Sequence, residues 1–224
     1  MTSLPRLLQL ASPALPVGAY SYSQGLEWAI ECGDVKDGQG AQRWIEDHLS
    51  RVVARFEAPV YAACFAAWQR DDAAGVSRLN SEFIASRESS EPRAETLQVG
   101  FSYSAWCRDV ATLTETQQTA LASLDRACSP VAASLAAIAS GLAVRDALTG
   151  YVFGFTENQV MVLAKALPLG QIAAQKLLFA LGGAVSQTVD TALALDESDW
   201  SSASPWLAIA QMKHETQYSR LFRS

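Results

Sequence analysis

Apolar residues recur at helical spacing between residues 39 and 56. One side of this pattern is apolar and the other is rich in charge. The apolar positions are Trp44, Ile45, Leu49, Val52, Val53 and Phe56, and the charged ones are Arg43, Glu46, Asp47 and Arg51. A period near 3.6 residues is typical of a helix that packs one face against a core. The pattern therefore predicts an amphipathic helix from about Gln39 onward.

A second apolar stripe with helical spacing lies in the last third of the chain. Its members are Ile172, Leu178, Leu181, Val185 and Val189. The Gly182-Gly183 pair within the stripe has low helix propensity and is expected to loosen or bend the helix. The pattern thus predicts a helix and leaves its continuity through the glycine pair open.

Three short patterns mark helix starts. Ser21 with Gln24, and Thr114 with Gln117, have the spacing of a capping box. Ser204 precedes a proline, as expected for an N-cap residue followed by a first helical turn. Each pattern predicts that a helix begins close by.

The fold class follows from the dominance of helical periods. The β-prone residues around 151–155 are too few to predict a sheet. No linker rich in Pro, Gly or Ser divides the chain. We predict an all-α fold, a single-domain array of roughly eight to eleven helices over residues 1–224, with a tail at about residues 212–224.

Composition excludes some classes of function. The net charge is −6 at pH 7 and the 17 basic residues are scattered, which argues against nucleic-acid binding. Charged residues make up only 18% of the chain, a deficit that favours burial of surface against protein partners. The uncharged run at residues 127–144 contains proline and few large aliphatic residues. It predicts a buried helix with Ser129 as N-cap and Pro130 at its first position, rather than a membrane span.

The cysteines and the N-terminus indicate a cytoplasmic protein. Four cysteines stand far apart, without the paired spacing of a zinc ribbon or of a disulfide-rich module. The first residues include Pro5 and Arg6 among leucines, so the apolar stretch is too interrupted for a signal peptide. We expect a reduced, cytoplasmic setting.

Catalytic motifs are missing from the sequence. It contains no phosphate-binding Gly-x-x-x-x-Gly-Lys-Ser/Thr loop and no Gly-x-Ser-x-Gly elbow. His214-Glu215 resembles the start of a zinc-binding His-Glu-x-x-His helix, but Tyr218 stands where the second histidine is needed. The only other histidine, His48, is expected on the flank of an amphipathic helix, and His214 near a helix C-terminus. We predict no enzymatic activity, no bound cofactor and no dedicated metal site.

Residues 12–27 form the most distinctive stretch of the chain. They read Ser-Pro-Ala-Leu-Pro-Val-Gly-Ala-Tyr-Ser-Tyr-Ser-Gln-Gly-Leu-Glu, and the two prolines with Gly18 predict a rigid, irregular loop. Residues 165–175 read Lys-Ala-Leu-Pro-Leu-Gly-Gln-Ile-Ala-Ala-Gln, with Pro168 at a helix junction. The chain closes on His-Glu-Thr-Gln-Tyr-Ser-Arg-Leu-Phe-Arg-Ser. In these three blocks, the sequence resembles the urease accessory protein UreF family.

The resemblance implies a non-enzymatic chaperone of urease maturation. Such a protein would form a homodimer, bridge the accessory protein UreD (also called UreH) and the GTPase UreG, and couple GTP hydrolysis to nickel delivery into apo-urease. The alternative is a GTPase-activating regulator in which Lys165 or Arg220 acts as a catalytic finger. A helical oligomerising scaffold of another pathway fits the composition but leaves the three blocks unexplained.

The resemblance also marks candidate partner-binding residues in each block. In the first block, Tyr20, Tyr22 and Glu27 are candidates for surface recognition. In the second, Lys165, Gln171 and Gln175 are candidates for contact with the GTPase or a second protomer. In the tail the candidates are His214, Glu215, Tyr218, Arg220, Leu221, Phe222 and Arg223.

The tail has two interpretations. At helical spacing Tyr218 would lie beside Leu221 and Phe222, so a partner could bury one apolar stripe with Arg220 and Arg223 at its rim. The tail could also pack back onto the body of the protein, and the two are compatible.

Two residues depart from the family pattern. Pro92 has to lie at a helix start, because proline breaks a continuous helix. Ala174 stands where a smaller glycine is expected.

Overall fold

The computed structural model describes residues 3–223, and within that range it is helical without any strand. The α-helices are α1 (Leu4–Leu10), α2 (Leu26–Glu31), α3 (Gly38–His48), α4 (Ala58–Gln69), α5 (Ala73–Ala85), α6 (Ser90–Asp109), α7 (Glu115–Ser123), α8 (Ser129–Ala139), α9 (Val144–Ala166), α10 (Gln171–Ala194) and α11 (Pro205–Glu215). The predicted all-α class is confirmed, and the helix number falls within the predicted range.

The helix predicted from about Gln39 continues into α4 through a π-helical segment, Leu49–Glu57. Pro59 has no N–H to donate to the carbonyl of Arg55, four residues earlier. That carbonyl instead accepts a hydrogen bond from the N–H of Ser201 at 3.0 Å. A proline inside a long helix is thus tolerated because a distant segment satisfies the carbonyl that it leaves free.

Helix α8 is buried and packs mainly against α4 and α6. All of its residues from Pro130 to Ala137 are buried, which confirms a buried helix for the uncharged run. Its N-cap is Cys128, one residue earlier than predicted. Helix α6 packs directly on the chain that leads into α8, where a Cβ atom on Gly100 would lie 2.0 Å from the carbonyl oxygen of Ala127.

Helices α9 and α10 form a hairpin around Pro168, as the sequence predicts for a helix junction. Helix α10 runs unbroken through Gly182 and Gly183, because Leu181 and Val185 anchor it in the core while both glycines face open space. By length and mean hydropathy α10 could cross a membrane. About a third of its most apolar stretch of 18 residues is buried inside the protein.

The helix-start signals have different outcomes. Thr114 and Gln117 form the predicted capping box, and Ser204 is the N-cap of α11. Pro92 lies in the first turn of α6. The capping box predicted at Ser21 is wrong, because α2 begins only at Leu26, after two residues with positive φ, Gln24 and Gly25. The Gln24 amide donates to the Glu95 carboxylate at 2.6 Å instead.

Candidate partner-binding site

The C-terminal tail crosses the start of helix α2, and Glu27 holds it there. The Glu27 carboxylate is buried and accepts hydrogen bonds from the backbone N–H groups of Leu221 at 2.6 Å and Phe222 at 3.0 Å. The N–H of Arg223 donates to the carbonyl of Ser21 at 2.8 Å. Hydrogen bonds to an ionised carboxylate are stronger than those between neutral groups. The first and last blocks of the sequence therefore meet.

His214 joins the same cluster from the end of α11. Its ring is fully buried, with Nε2 3.1 Å from Glu27 and Nδ1 2.8 Å from Glu91. The Arg220 guanidinium lies 2.5 Å from the other oxygen of Glu91. Both ring nitrogens of His214 thus face carboxylate oxygens, and Glu91 is shared between the histidine ring and the Arg220 guanidinium.

Glu215 ties the end of α11 to the start of α6. Its carboxylate accepts hydrogen bonds from the Ser90 hydroxyl at 2.8 Å and from the Glu91 N–H at 3.0 Å. Desolvation acts to raise the pKa of Glu215, but these hydrogen bonds outweigh it and leave the pKa below its ordinary value. A carboxylate at a helix N-terminus also complements the helix dipole.

The loop before α2 is fixed by buried amides on α9. Asn158 donates to the carbonyl of Tyr22 at 2.9 Å, and Gln159 donates to that of Ser23 at 3.2 Å. A Cβ atom on Gly25 would lie 3.0 Å from that of Ala210, so this left-handed residue lets the loop approach α11 closely. These contacts hold the loop against α9 and α11.

The second block reaches the tail through one side chain. The Lys165 ammonium lies over the Phe222 ring, 5.2 Å from its centroid, in a cation–π contact. Phe222 is itself buried in the core shared by α2, α9 and α10. Gln171 and Gln175 lie exposed on the first turns of α10, and neither hydrogen-bonds to the tail within residues 3–223.

Sequence comparison with known proteins identifies the family of this chain. The UreF family model matches residues 35–182. A urease accessory protein UreF from Azoarcus sp. (strain BH72) is 52% identical over 99% of this chain and 95% of its own. This chain belongs to the UreF family. The relative from Dechloromonas aromatica (strain RCB) is 48% identical over 99% of this chain and 97% of its own. For the relative from Cupriavidus metallidurans, identity is 46% over both full chains.

Several UreF candidate residues are interior rather than exposed. Tyr22, Glu27, His214 and Phe222 are buried, so the surface position expected for Tyr22 and Glu27 is wrong. The reason is that the tail and the loop cover one another. Tyr20 is half-buried and its hydroxyl donates to Glu157 at 2.8 Å. Burial, followed by this hydrogen bond, raises the pKa of the phenol.

The tail presents its other side chains to solvent. Tyr218 is fully exposed and Leu221 is 66% exposed, with Arg220 and Arg223 also at the surface. Residues 216–223 are not helical, so the single apolar stripe expected of a helical tail is wrong. Phe222 points into the core while Tyr218 and Leu221 point outward. The tail packs back onto the body and still offers an apolar and basic outer face.

Three residues of this UreF site escaped sequence reasoning: Glu91, Asn158 and Gln159. Each holds a partner more than 120 positions away in the chain. Asn158 and Gln159 carried one usable signal, since two adjacent amides directly precede the apolar run Val160–Ala164 of α9. No sequence signal marked Glu91 beyond its position directly before Pro92.

Proposed function

We propose that this chain is a non-catalytic scaffold in urease maturation, which bridges UreD/UreH and the GTPase UreG. In this proposal it couples GTP hydrolysis to the insertion of nickel into apo-urease, with nickel as cargo. Relatives at 46–52% identity are named urease accessory proteins, which supports a role in that process. The proposed setting is the cytoplasm.

The convergence of three family blocks on the tail carries the proposal. Glu27, Lys165 and His214 come from separate blocks and all contact the tail or its anchor. Hydrogen bonds hold residues 221–223 against α2 and the loop before it, while Tyr218, Leu221, Arg220 and Arg223 lie at the surface. A rigid aromatic and aliphatic patch with arginines at its rim suits an acidic protein surface.

Co-purification with the two proposed partners tests the scaffold role. The tagged chain is co-expressed with UreD and UreG, and the complex is scored by stoichiometry. A truncation after Gln211 would remove the buried groups of His214 and Phe222 and leave Glu27 without partners, so point variants are sharper. The double variant Tyr218→Ser, Leu221→Ser should lose UreG, with at least about tenfold weaker binding, while its thermal stability stays unchanged.

Phe101→Ser provides the matched control, because Phe101 on α6 is 64% exposed and lies outside the tail. The control should bind both partners like the unaltered chain. If the double variant also binds normally, the tail is not the contact surface. If the unaltered folded chain binds neither partner, the scaffold role itself is refuted.

A homodimer is part of the same proposal. Exposed apolar side chains on α1 (Leu4 and Leu8) and on α10 (Ile172 and Phe179) are available to a second copy. Sedimentation velocity over a range of concentrations should show a dimer. Whichever of Leu8→Ser and Phe179→Ser abolishes the dimer identifies the helix, α1 or α10, that forms the interface. A monomer at every concentration would contradict this part.

The alternative function is a GTPase-activating regulator that supplies a charged group to UreG. Lys165 favours it over Arg220, because the Lys165 ammonium is exposed and has no carboxylate within 4 Å among residues 3–223, whereas Arg220 is paired with Glu91. Separate measurement of binding and GTP turnover distinguishes the two functions.

A further inference from the structure

A half-open cleft lies between the N-terminal loop, the π-helical segment, α6, α9 and α11. None of the tail residues 216–223 lines it, so the cleft is separate from the site described above. His48 forms part of its wall. The expectation that His48 lies on a helix flank is wrong, since its ring is buried and packs edge-on against Phe155.

One face of α6 forms a wall of this cleft. Glu95, Val99 and Tyr103 all line it, and their spacing of four residues places them on the same side of the helix. Phe155 on α9 adds a further aromatic ring to the lining. A group that binds along α6 therefore meets a carboxyl at one end and an apolar surface beside it.

The Glu95 carboxyl has no cationic partner. In the described part of the chain it accepts one hydrogen bond, from the Gln24 amide at 2.6 Å, and it forms no ion pair. The neighbouring cation, Arg87, lies 2.6 Å from Glu57 and pairs with that residue instead. Glu95 is only partly buried, so a cation in the cleft could reach it. A carboxylate held among apolar groups is stabilised by such a partner.

The other ionisable groups of the cleft supply no positive charge. Burial lowers the pKa of His48 to about 4, so its ring is neutral at pH 7. Burial also raises the pKa of three lining tyrosines, Tyr20, Tyr103 and Tyr151. Glu88 is exposed and adds a negative charge. Because no cation offsets its burial, the pKa of Glu95 is raised to about 8.

We propose that this cleft binds an alkylammonium group, with the ammonium paired to Glu95 and its apolar stem along Val99. The rise from Glu95 to Val99 along α6 is about 6 Å, close to the reach of a four-carbon stem such as that of butylamine or lysine. The failure of this proposal would leave the scaffold role intact.

Two other kinds of cation fit the cleft less well. A guanidinium pairs best with both oxygens of a carboxylate, and Gln24 already occupies one oxygen of Glu95. A divalent metal needs several ligands, and the described residues include no group of three His, Cys, Asp or Glu side chains that could hold one. An ammonium is a compact charge that one free oxygen can hold.

A series of three small molecules tests the chemistry of the ligand. Each is titrated into the full-length protein at equal ionic strength and followed by calorimetry. Butanol shares the stem of butylamine but lacks its charge, and methylamine shares the charge but lacks most of the stem. Butylamine should bind at least about tenfold more tightly than either control. Butylamine that binds no better than the controls would overturn the proposal.

Glu95→Gln tests the partner of the ammonium. The variant removes the negative charge, while its amide oxygen can still accept the hydrogen bond from Gln24. Butylamine should then bind at least about tenfold more weakly, and thermal denaturation should show a folded protein. Glu31→Gln is the matched control, because Glu31 is exposed on α2 and does not line the cleft. Normal binding by Glu95→Gln would refute the assignment.

Proton release gives an independent readout. Glu95 is mainly protonated at pH 7 in the free protein, so each bound ammonium should displace about one proton from its carboxyl to the buffer. Titrations in phosphate and in MOPS, which differ in ionisation enthalpy, count that proton. The affinity should rise about tenfold from pH 7 to pH 9, where no proton has to leave. Butylamine binding without proton release at pH 7 would exclude Glu95 as its partner.

A lysine peptide distinguishes the two sources of such a group. Acetyl-Gly-Lys-Gly-amide carries the same stem and charge on a peptide backbone. If it binds and competes with butylamine, the site accepts a lysine side chain of another protein. If butylamine alone binds, the site takes a free amine. The proposal is overturned if neither binds.

Discussion

Glu27 contacts residues that lie 187 to 195 positions later in the chain. Glu27→Gln keeps the shape of the side chain but replaces one acceptor oxygen with a donor NH₂ group, which then faces a backbone N–H. We expect the amides of Leu221 and Phe222 to lose hydrogen-exchange protection. The free energy of unfolding should fall by about 2–3 kcal/mol, the usual effect of losing hydrogen bonds to a charged group.

The control for this variant is Glu31→Gln, on the exposed end of the same helix. It changes the net charge equally and should leave the exchange of both amides unaltered. If the two variants behaved alike, charge rather than tail anchoring would be the cause.

Glu95 makes stability depend on pH. Burial raises its pKa to about 8, despite the opposing hydrogen bond from Gln24, so the folded protein holds a proton that the unfolded chain releases above about pH 4.5. Stability should therefore fall as the pH rises from about 4.5 to about 8. Glu95→Gln cannot ionise and should lose this slope. At pH 8 it should be more stable than the unaltered protein by about 1–3 kcal/mol in urea denaturation.

Glu88→Gln is the control, since Glu88 is exposed close by. It should retain the slope of the unaltered protein. A slope that persists in Glu95→Gln would assign the pH dependence to another group.

At the scale of helices, local pattern was a sound guide where local forces decide. The capping box at Thr114 forms because the threonine and Gln117 satisfy each other's backbone groups without outside help. The same pattern at Ser21 does not form a capping box. The Gln24 side chain donates to Glu95 on α6 instead, and the Gln24 backbone has a positive φ. This tertiary hydrogen bond replaces the local one, and no local sequence pattern predicts it.

Close approach of α6 to the chain before α8 gives a sharp prediction. A Cβ atom on Gly100 would lie 2.0 Å from the Ala127 carbonyl oxygen and 2.7 Å from the Cys128 carbonyl carbon, both backbone atoms. Alanine has the higher helix propensity by about 1 kcal/mol, yet Gly100→Ala should lower the free energy of unfolding by about 3 kcal/mol or more.

Gly183→Ala is the counterpart, because its Cβ atom meets open space on α10. Here helix propensity acts alone, and stability should rise by about 0.5–1 kcal/mol. Thermal denaturation of Gly100→Ala and Gly183→Ala measures the change in stability that each variant causes. Equal effects would show that the α6–α8 approach is looser than described.

At the scale of the whole molecule, the sequence marked Glu27, Lys165 and His214 as candidates but predicted neither that they meet nor that Glu91 joins them. Glu27, Lys165 and His214 stand in three blocks whose order is fixed by the chain, while their meeting depends on the packing of α2, α9 and α11. The burial of Glu27 and the choice of Glu91 as the second carboxylate follow only from that packing. Pairings across such distances leave no periodic signal in a single sequence.

Lys165 connects this geometry to the proposed assembly. Its ammonium is exposed above Phe222, where it can pair with an acidic group of UreG. Lys165→Ala should weaken UreG binding about tenfold and leave GTP turnover per bound complex unchanged, because a scaffold contributes contact rather than chemistry. Lys176→Ala, which removes an exposed lysine from α10, should alter neither. Intact binding with lost turnover would contradict the scaffold and make Lys165 the catalytic finger of a GTPase-activating regulator.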